Sequence, residues 1–167
     1  DNFEKHGIEI VPEAAAIAEQ FASKIYTEGI EKIPFEEEFF DVISCLHVIE
    51  HISDPIKFLK IVHKILRTHG DLIISSPNFD GALSRRFGEN FRLLHDKTHV
   101  SLFSDFSLKM LLEDIGFIVT IGNDHIDIAR SFGTSSIGAH DFKARVGMGD
   151  AFKYLCKIQY YSFTINT

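Results

Sequence analysis

The chain has 167 residues, 45% of them apolar, with 16 Phe and no Trp, which is enough for one domain with a real core. Its formal net charge of -7 argues against a general phosphate-backbone binder, which would need clustered Lys and Arg, and leaves open a local basic patch. Cys45 and Cys156 make no framework of spaced pairs, no apolar run approaches the roughly 18 residues of a membrane span, and the opening DNFEKHG lacks the form of a signal peptide, so a reducing, cytoplasmic setting is expected.

In chain order, Gly7-Ile-Glu-Ile-Val11 predicts a short strand, and Pro12 opens an alanine-rich helix that runs to about Phe21. Lys24 to Thr27 suggests a second strand and Glu28 to Phe35 a turn, while Glu36-Glu37-Glu38 reads as a solvated surface turn with no role. Asp41 to Cys45 and Leu72 to Ser75 are short apolar runs rich in β-branched residues, which suits strands buried on two faces. Between them, Asp54 can cap a helix whose first turn holds Pro55, where a missing backbone donor costs nothing, and Gly70 predicts the helix end. Ile56, Leu59, Val62, Ile65 and Leu66 share one face of that helix. Lys57, Lys60, His63, Lys64 and Arg67 take the other and bring positive charge toward the C-terminal end of the dipole. Such a crossover joins parallel strands. It leaves Leu46 to Ile52 at the carboxyl end of the first strand, where open α/β sheets place their ligands.

Residues 79–100 form a long connection with Arg85, Arg86, Arg92, His95, Asp96, Lys97 and His99; connections of this length are usually functional or disordered. Ser101 to Ser104 leads into a helix over Asp105 to Ile115, closed by Gly116, and then a strand over Phe117 to Ile121. Residues 122–150 are rich in Gly, Ser, Asp and His without sustained period and read as an irregular excursion. Asp150 to Lys157 suggests a short helix, and Ile158 to Ile165 a last strand pairing antiparallel at the sheet edge.

The ordered run of a Phe40-Asp-Val-Ile strand, the Leu46-His-Val-Ile-Glu-His-Ile52 loop, Asp54-Pro55, a helix ending Lys64-Ile-Leu-Arg-Thr-His-Gly70 and a strand entering Ser76-Pro77-Asn78 is similar to one known family. It resembles the class I S-adenosylmethionine-dependent methyltransferases, in the small-molecule branch related to ubiquinone-biosynthesis O-methyltransferases. The resemblance implies an α/β, Rossmann-like, mostly parallel sheet flanked by helices, with an antiparallel last strand, in a single domain over 1–167. It implies S-adenosylmethionine as cofactor and a lid over the acceptor at 79–100. Glu9, followed by Ile10, matches the acid at the end of the second strand that accepts hydrogen bonds from both ribose hydroxyls. Glu28, Gly29 and Ile30 match the turn that packs on adenine, with the acid one position earlier than usual. Leu46 and His47 match the cofactor-facing end of the central strand. The family's first strand and glycine-rich turn have no counterpart in these residues, so a truncated N-terminus is expected, with the absent strand lying between those at Ile8 and Val42.

The implied reaction is methyl transfer to a small-molecule acceptor, with a hydroxyl the favoured group. His51, at the strand end, is the candidate general base, since imidazole titrates near neutral pH. Some relatives present an E-x-x-E-H loop and a downstream histidine to a divalent metal. Here His47 replaces the first acid and His99 is the downstream partner; imidazole for carboxylate suits magnesium poorly, so no metal is assigned. The expectation is that His51 and His99 face one cavity, near enough for one acceptor group or ion to touch both. Two other readings stand beside this one. A binding domain with a degenerate methyltransferase fold would bind without turning over. His47-Val-Ile-Glu-His51 also matches the H-x-x-E-H pattern of zinc hydrolases, which requires both histidines on one continuous helix.

Overall fold

The computed structural model describes residues 4–121 and 127–130. Its centre is the predicted crossover: β3 (Phe40–Leu46), α2 (Pro55–Ile65) and β4 (Leu66–Ser75), with β3 and β4 adjacent and parallel. Leu72, Ile73 and Ile74 are all buried, as a strand covered on both faces requires. Asp54 caps α2 by accepting from the Lys57 amide at 3.0 Å, and Pro55 stands in the first turn. Leu59, Val62 and Ile65 are buried on the inner face of α2, together with Leu108 and Leu112 of α4 (Asp105–Ile115), against Ile43, Cys45, Leu72 and Ile74 of the sheet.

The helix ends earlier than Gly70 predicted. After Ile65 the chain passes straight into β4, because Leu66 pairs with Phe40 and is itself buried. The register then shifts between Phe40 and Val42, and Gly70 belongs to that irregular stretch of strand. A Cβ at Gly70 would stand 2.9 Å from the carbonyl oxygens of Arg67 and Asp41, so this glycine permits close backbone approach and caps no helix. Glu36-Glu37-Glu38 is likewise more than a solvated turn. Lys64 pairs with Glu37 at 3.1 Å, and Glu38 accepts from Thr68 through its carboxylate and from Arg67 through its backbone carbonyl.

Upstream, β1 (His6–Ile8) and β2 (Lys24–Tyr26) make a parallel pair flanked by α1 (Pro12–Ala18), all shorter than the sequence suggests. The second sheet has the order β3-β4-β6-β5, with β5 at Ile118–Ile121 and β6 at Asp127–Arg130. β6 runs antiparallel to both β4 and β5. The antiparallel member of this sheet therefore lies inside the stretch read as an irregular excursion; the helix at 150–157 and the strand at 158–165 fall outside the described residues. Among the described residues β1 pairs with β2 alone and β3 with β4 alone. A cavity of about 370 Å³ opens between the two sheets, with Ile8 and Ile10 on one side and Cys45 and Val48 on the other.

The connection at 79–100 is built rather than loose. It holds α3 (Ala82–Phe87) and single 3-10 turns, starts beside an Asn78–Phe103 bridge, and returns across the site loop where the Val100 and Ser101 amides donate to the Glu50 carbonyl. Among the described residues no helix is long and apolar enough to cross a membrane.

Candidate active site

The site loop follows directly from the end of β3. His47 adopts a left-handed backbone conformation at φ 54°, unusual for a residue with a Cβ, and its amide donates to the Ser75 carbonyl at 3.0 Å. That bend turns the chain off the sheet and into a 3-10 turn at Ile49–His51, which buries Ile49 and Glu50. His47 and His51 consequently do not share a continuous helix, which removes the geometric basis of the zinc-hydrolase reading.

Glu50 is the unusual residue. It is 1% exposed, one carboxylate oxygen is paired with His47 Nδ1 at 3.2 Å, and Oε2 has no hydrogen-bond partner among the described residues. Beside it, the rings of His51 and His99 meet edge to face with centroids 4.8 Å apart. Each ring is pinned by a backbone carbonyl: His51 Nδ1 donates to Thr98 and His99 Nδ1 to Leu93, both at 3.0 Å. A carbonyl can only accept, so in the neutral rings Nδ1 carries the proton and Nε2 the lone pair. Donor atoms of Glu50, His51 and His99 all lie within 4.8 Å of one another. Asp96 stands 3.8 Å from His99 Nε2, and hydrogen bonds from the Thr98 hydroxyl and amide hold its carboxyl below the usual carboxylate range, helped by the nearby His99 and His51.

His51 also lines the 370 Å³ cavity, which connects this cluster to a space within the roughly 300–1,000 Å³ typical of small-ligand sites. Of the other residues expected to hold the cofactor, Ile10, Gly29 and Ile30 line the cavity, while Glu9, Glu28, Leu46 and His47 do not. Glu28 is exposed, and the acid at the wall is Glu31, whose carboxylate folds back over Gly29 so closely that a Cβ there would stand 2.6 Å from it. Sequence reading passed over Glu31 because the nearer acid was matched to the family turn. Glu9 is 2% exposed at the end of β1, where Oε1 accepts the Val11 amide at 2.8 Å. The cavity also takes Asp54, Lys57, Phe58 and Ile61 from α2 and its cap; sequence reading assigned Asp54 and Lys57 helix roles only and singled out neither Phe58 nor Ile61. Cys45 lines it too, and burial pushes its thiol up to about 12.

A family model described as a methyltransferase domain matches residues 2–120. Together with the α/β sheet and its ligand-sized cavity at the strand ends, that match assigns the chain to the class I S-adenosylmethionine-dependent methyltransferase family. Among curated relatives, a tRNA U34 carboxymethyltransferase from Campylobacter curvus is 44% identical over 52 residues, which is 31% of this chain and 17% of that protein. The chain thus spans less than a fifth of that relative's length. In fold it is similar to a SAM-dependent methyltransferase from Thermotoga maritima, with a TM-score of 0.62 at 19% identity, covering 75% of this chain and 72% of that one. It is also similar to the 1,6-didemethyltoxoflavin-N1-methyltransferase of Burkholderia thailandensis, solved with S-adenosylhomocysteine bound, with a TM-score of 0.55 at 18% identity, covering 77% of this chain and 61% of that one.

Proposed function

We propose that the protein transfers the methyl group of S-adenosylmethionine to a hydroxyl of a small-molecule acceptor held against His51 and His99. The single observation carrying this reading is His51 on the cavity wall with the His99 ring packed edge to face against it, each with its Nδ1 tied to a backbone carbonyl. The residues present suit the donor. Ile8, Ile10, Ile30 and Ile52 offer apolar walls for a purine and Glu31 an acceptor for its amino group, while Glu9, between Ile8 and Ile10, is the candidate acceptor for a ribose hydroxyl, with Oε1 already taking the Val11 amide.

S-adenosylmethionine supplies an electrophilic methyl group on a sulfonium, whose S–C bond breaks with its electron pair left on sulfur as a thioether. The work of the protein is to align the acceptor oxygen for in-line attack and to take its proton as the O–C bond forms. His51 is suited to both tasks, because the Thr98 carbonyl fixes the tautomer that presents Nε2 as base, and the proton then passes to solvent. His99 holds the acceptor from the side. The reading carries a cytoplasmic location.

The test uses the full-length protein with methyl-labelled S-adenosylmethionine and a panel of phenols, alcohols, amines and unmodified tRNA. Transfer to a hydroxyl compound is expected, falling about 10²–10⁴-fold in His51→Ala with cofactor affinity unchanged. Transfer to tRNA alone would overturn the small-molecule assignment. Cofactor binding without transfer to any acceptor would favour the non-catalytic reading.

A further inference from the structure

We infer that the face formed by Phe79, α3 and the outer side of α4 docks on an anionic lipid surface. It lies outside the cavity and the site loop, and its binding is independent of methyl transfer.

Six large apolar side chains are exposed on this face. Leu83 and Phe87 stand four residues apart on α3, with Ser84 buried on the side that meets the protein. On α4 the core takes Leu108 and Leu112, while Phe106 and Met110, each two residues earlier and so roughly 200° around the helix, face outward. Phe106 is 73% exposed, the most of any large hydrophobic among the described residues. The two helices are tied together at their starts. The Phe79 amide donates to the Phe103 carbonyl at 2.8 Å beside the Asn78–Phe103 bridge, and there Phe103 is buried while Phe79 and Leu102 are exposed. Single exposed apolar residues are ordinary on a surface, whereas six gathered on two linked elements mark a place of contact.

Charge decides what makes that contact. From Leu83 to Lys97 the chain carries four cations, Arg85, Arg86, Arg92 and Lys97, against two acids, Glu89 and Asp96, in a protein whose net charge is -7. The acidic excess therefore lies elsewhere, and an anionic surface repels it while drawing in this face. All four cations are exposed. Arg86 holds its guanidinium over the Phe87 ring, 5.8 Å from the centroid, which lets the cation stay among headgroups while the ring beside it is buried. Arg85 is shared with Asp80 at 3.1 Å and contributes least. A second copy of the chain fits worse, because a two-fold contact through this face sets the same cations against one another. Short apolar stripes edged by Arg are what interfacial helices present to a bilayer, and no helix among the described residues is long and apolar enough to enter it as a span.

The test uses the full-length protein and vesicles of phosphatidylcholine alone or with about one-third phosphatidylglycerol. Co-sedimentation with the anionic vesicles is expected, about tenfold stronger than with phosphatidylcholine alone and falling as salt is raised. Phe106→Ser and Leu83→Ser should each weaken it about tenfold with circular dichroism unchanged, and Arg92→Gln combined with Lys97→Gln should remove most of the preference for anionic lipid. Ile17→Ser, at a similarly exposed apolar position on α1, should leave binding intact. Because the chain has no Trp, Phe106→Trp reports contact while keeping a large apolar side chain: its emission should shift to the blue on anionic vesicles, and that of Ile17→Trp should not. Absence of sedimentation with anionic vesicles, an unshifted Phe106→Trp emission, or binding that survives both serine variants would overturn the inference. So would two reassignments of the face: a mass by light scattering that falls from dimer to monomer in Phe106→Ser without vesicle binding in either protein, which makes it an interface between copies, and retention of unmodified tRNA in place of vesicles, which makes it a nucleic-acid contact.

Discussion

Glu50→Gln should raise stability, against the usual effect of changing a buried residue. In either protonation state the native carboxyl leaves Oε2 buried and without a partner, and burying an unsatisfied polar atom costs about 1–3 kcal/mol, more when it is charged. Glutamine has nearly the same shape, keeps an oxygen that can accept from His47 Nδ1, and removes the charge that would have to be desolvated; the Val100 and Ser101 amides bond to the Glu50 backbone carbonyl and are untouched. The neutral amide still leaves one group unpaired, so the net gain is the charge term, on the order of 1 kcal/mol. For a chain of this size that is a rise in Tm of roughly 2–4 °C. Differential scanning calorimetry is the assay. A variant that melts below the native protein would refute the reasoning, since it would mean that the carboxylate is already satisfied in the folded chain. A site that is stabilised by losing its acid is one whose acid is kept for function.

Other substitutions test the remaining parts. Glu9→Gln should weaken S-adenosylmethionine binding to the full-length protein by on the order of 1–3 kcal/mol, the loss of a charged hydrogen bond, and unchanged affinity in calorimetry would return Glu9 to a purely local role with the Val11 amide. Leu112→Ala removes a fully buried side chain between α4 and the sheet and should cost about 2–5 kcal/mol, or roughly 4–20 °C in Tm; a loss below about 1 kcal/mol would mean that α4 is not packed as described. The Cys45 thiol binds its proton more tightly in the folded chain, where burial raises it from 9.0 to about 12, than in the unfolded one. Its contribution is therefore fully present below pH 9 and is lost as pH rises from 9 toward 12, so denaturation midpoints should fall across that window and Cys45→Ala should flatten the slope. Native Cys45 should also resist iodoacetamide at pH 8 and react once denaturant opens the core.

Much of this protein is written locally. Helix α4 begins and ends where the sequence says because its signals are adjacent: Ser104 and Ser107 exchange side-chain hydrogen bonds with each other's amides at 3.1 and 2.9 Å, and Gly116 at φ 117° closes the helix in a left-handed turn. The start of α2 at Asp54-Pro55 is of the same kind, and so is the parallel crossover, which follows from apolar runs too far apart for a hairpin and too close for anything but one helix. The end of α2 is not. Nothing within a few residues of Leu66 forbids another helical turn, and what stops it is pairing with Phe40. Gly70 looked like a cap because a glycine after a helix usually is one, but its role is set by the Asp41 carbonyl on the neighbouring strand. The antiparallel strand β6 was invisible for a related reason: Asp127–Arg130 has little periodicity of its own, and becomes a strand because two paired edges receive it. The site divides the same way. Motif spacing put Glu9, Gly29 and His51 near the strand ends, where the backbone alone determines position. That Glu31 rather than Glu28 reaches the cavity wall, that Glu50 is buried with one oxygen unpartnered, and that His51 takes the Thr98 carbonyl and so brings His99 against it, all depend on contacts between segments far apart in the chain. Sequence names the groups that can do the chemistry; only packing desolvates a carboxylate and sets two imidazoles beside it.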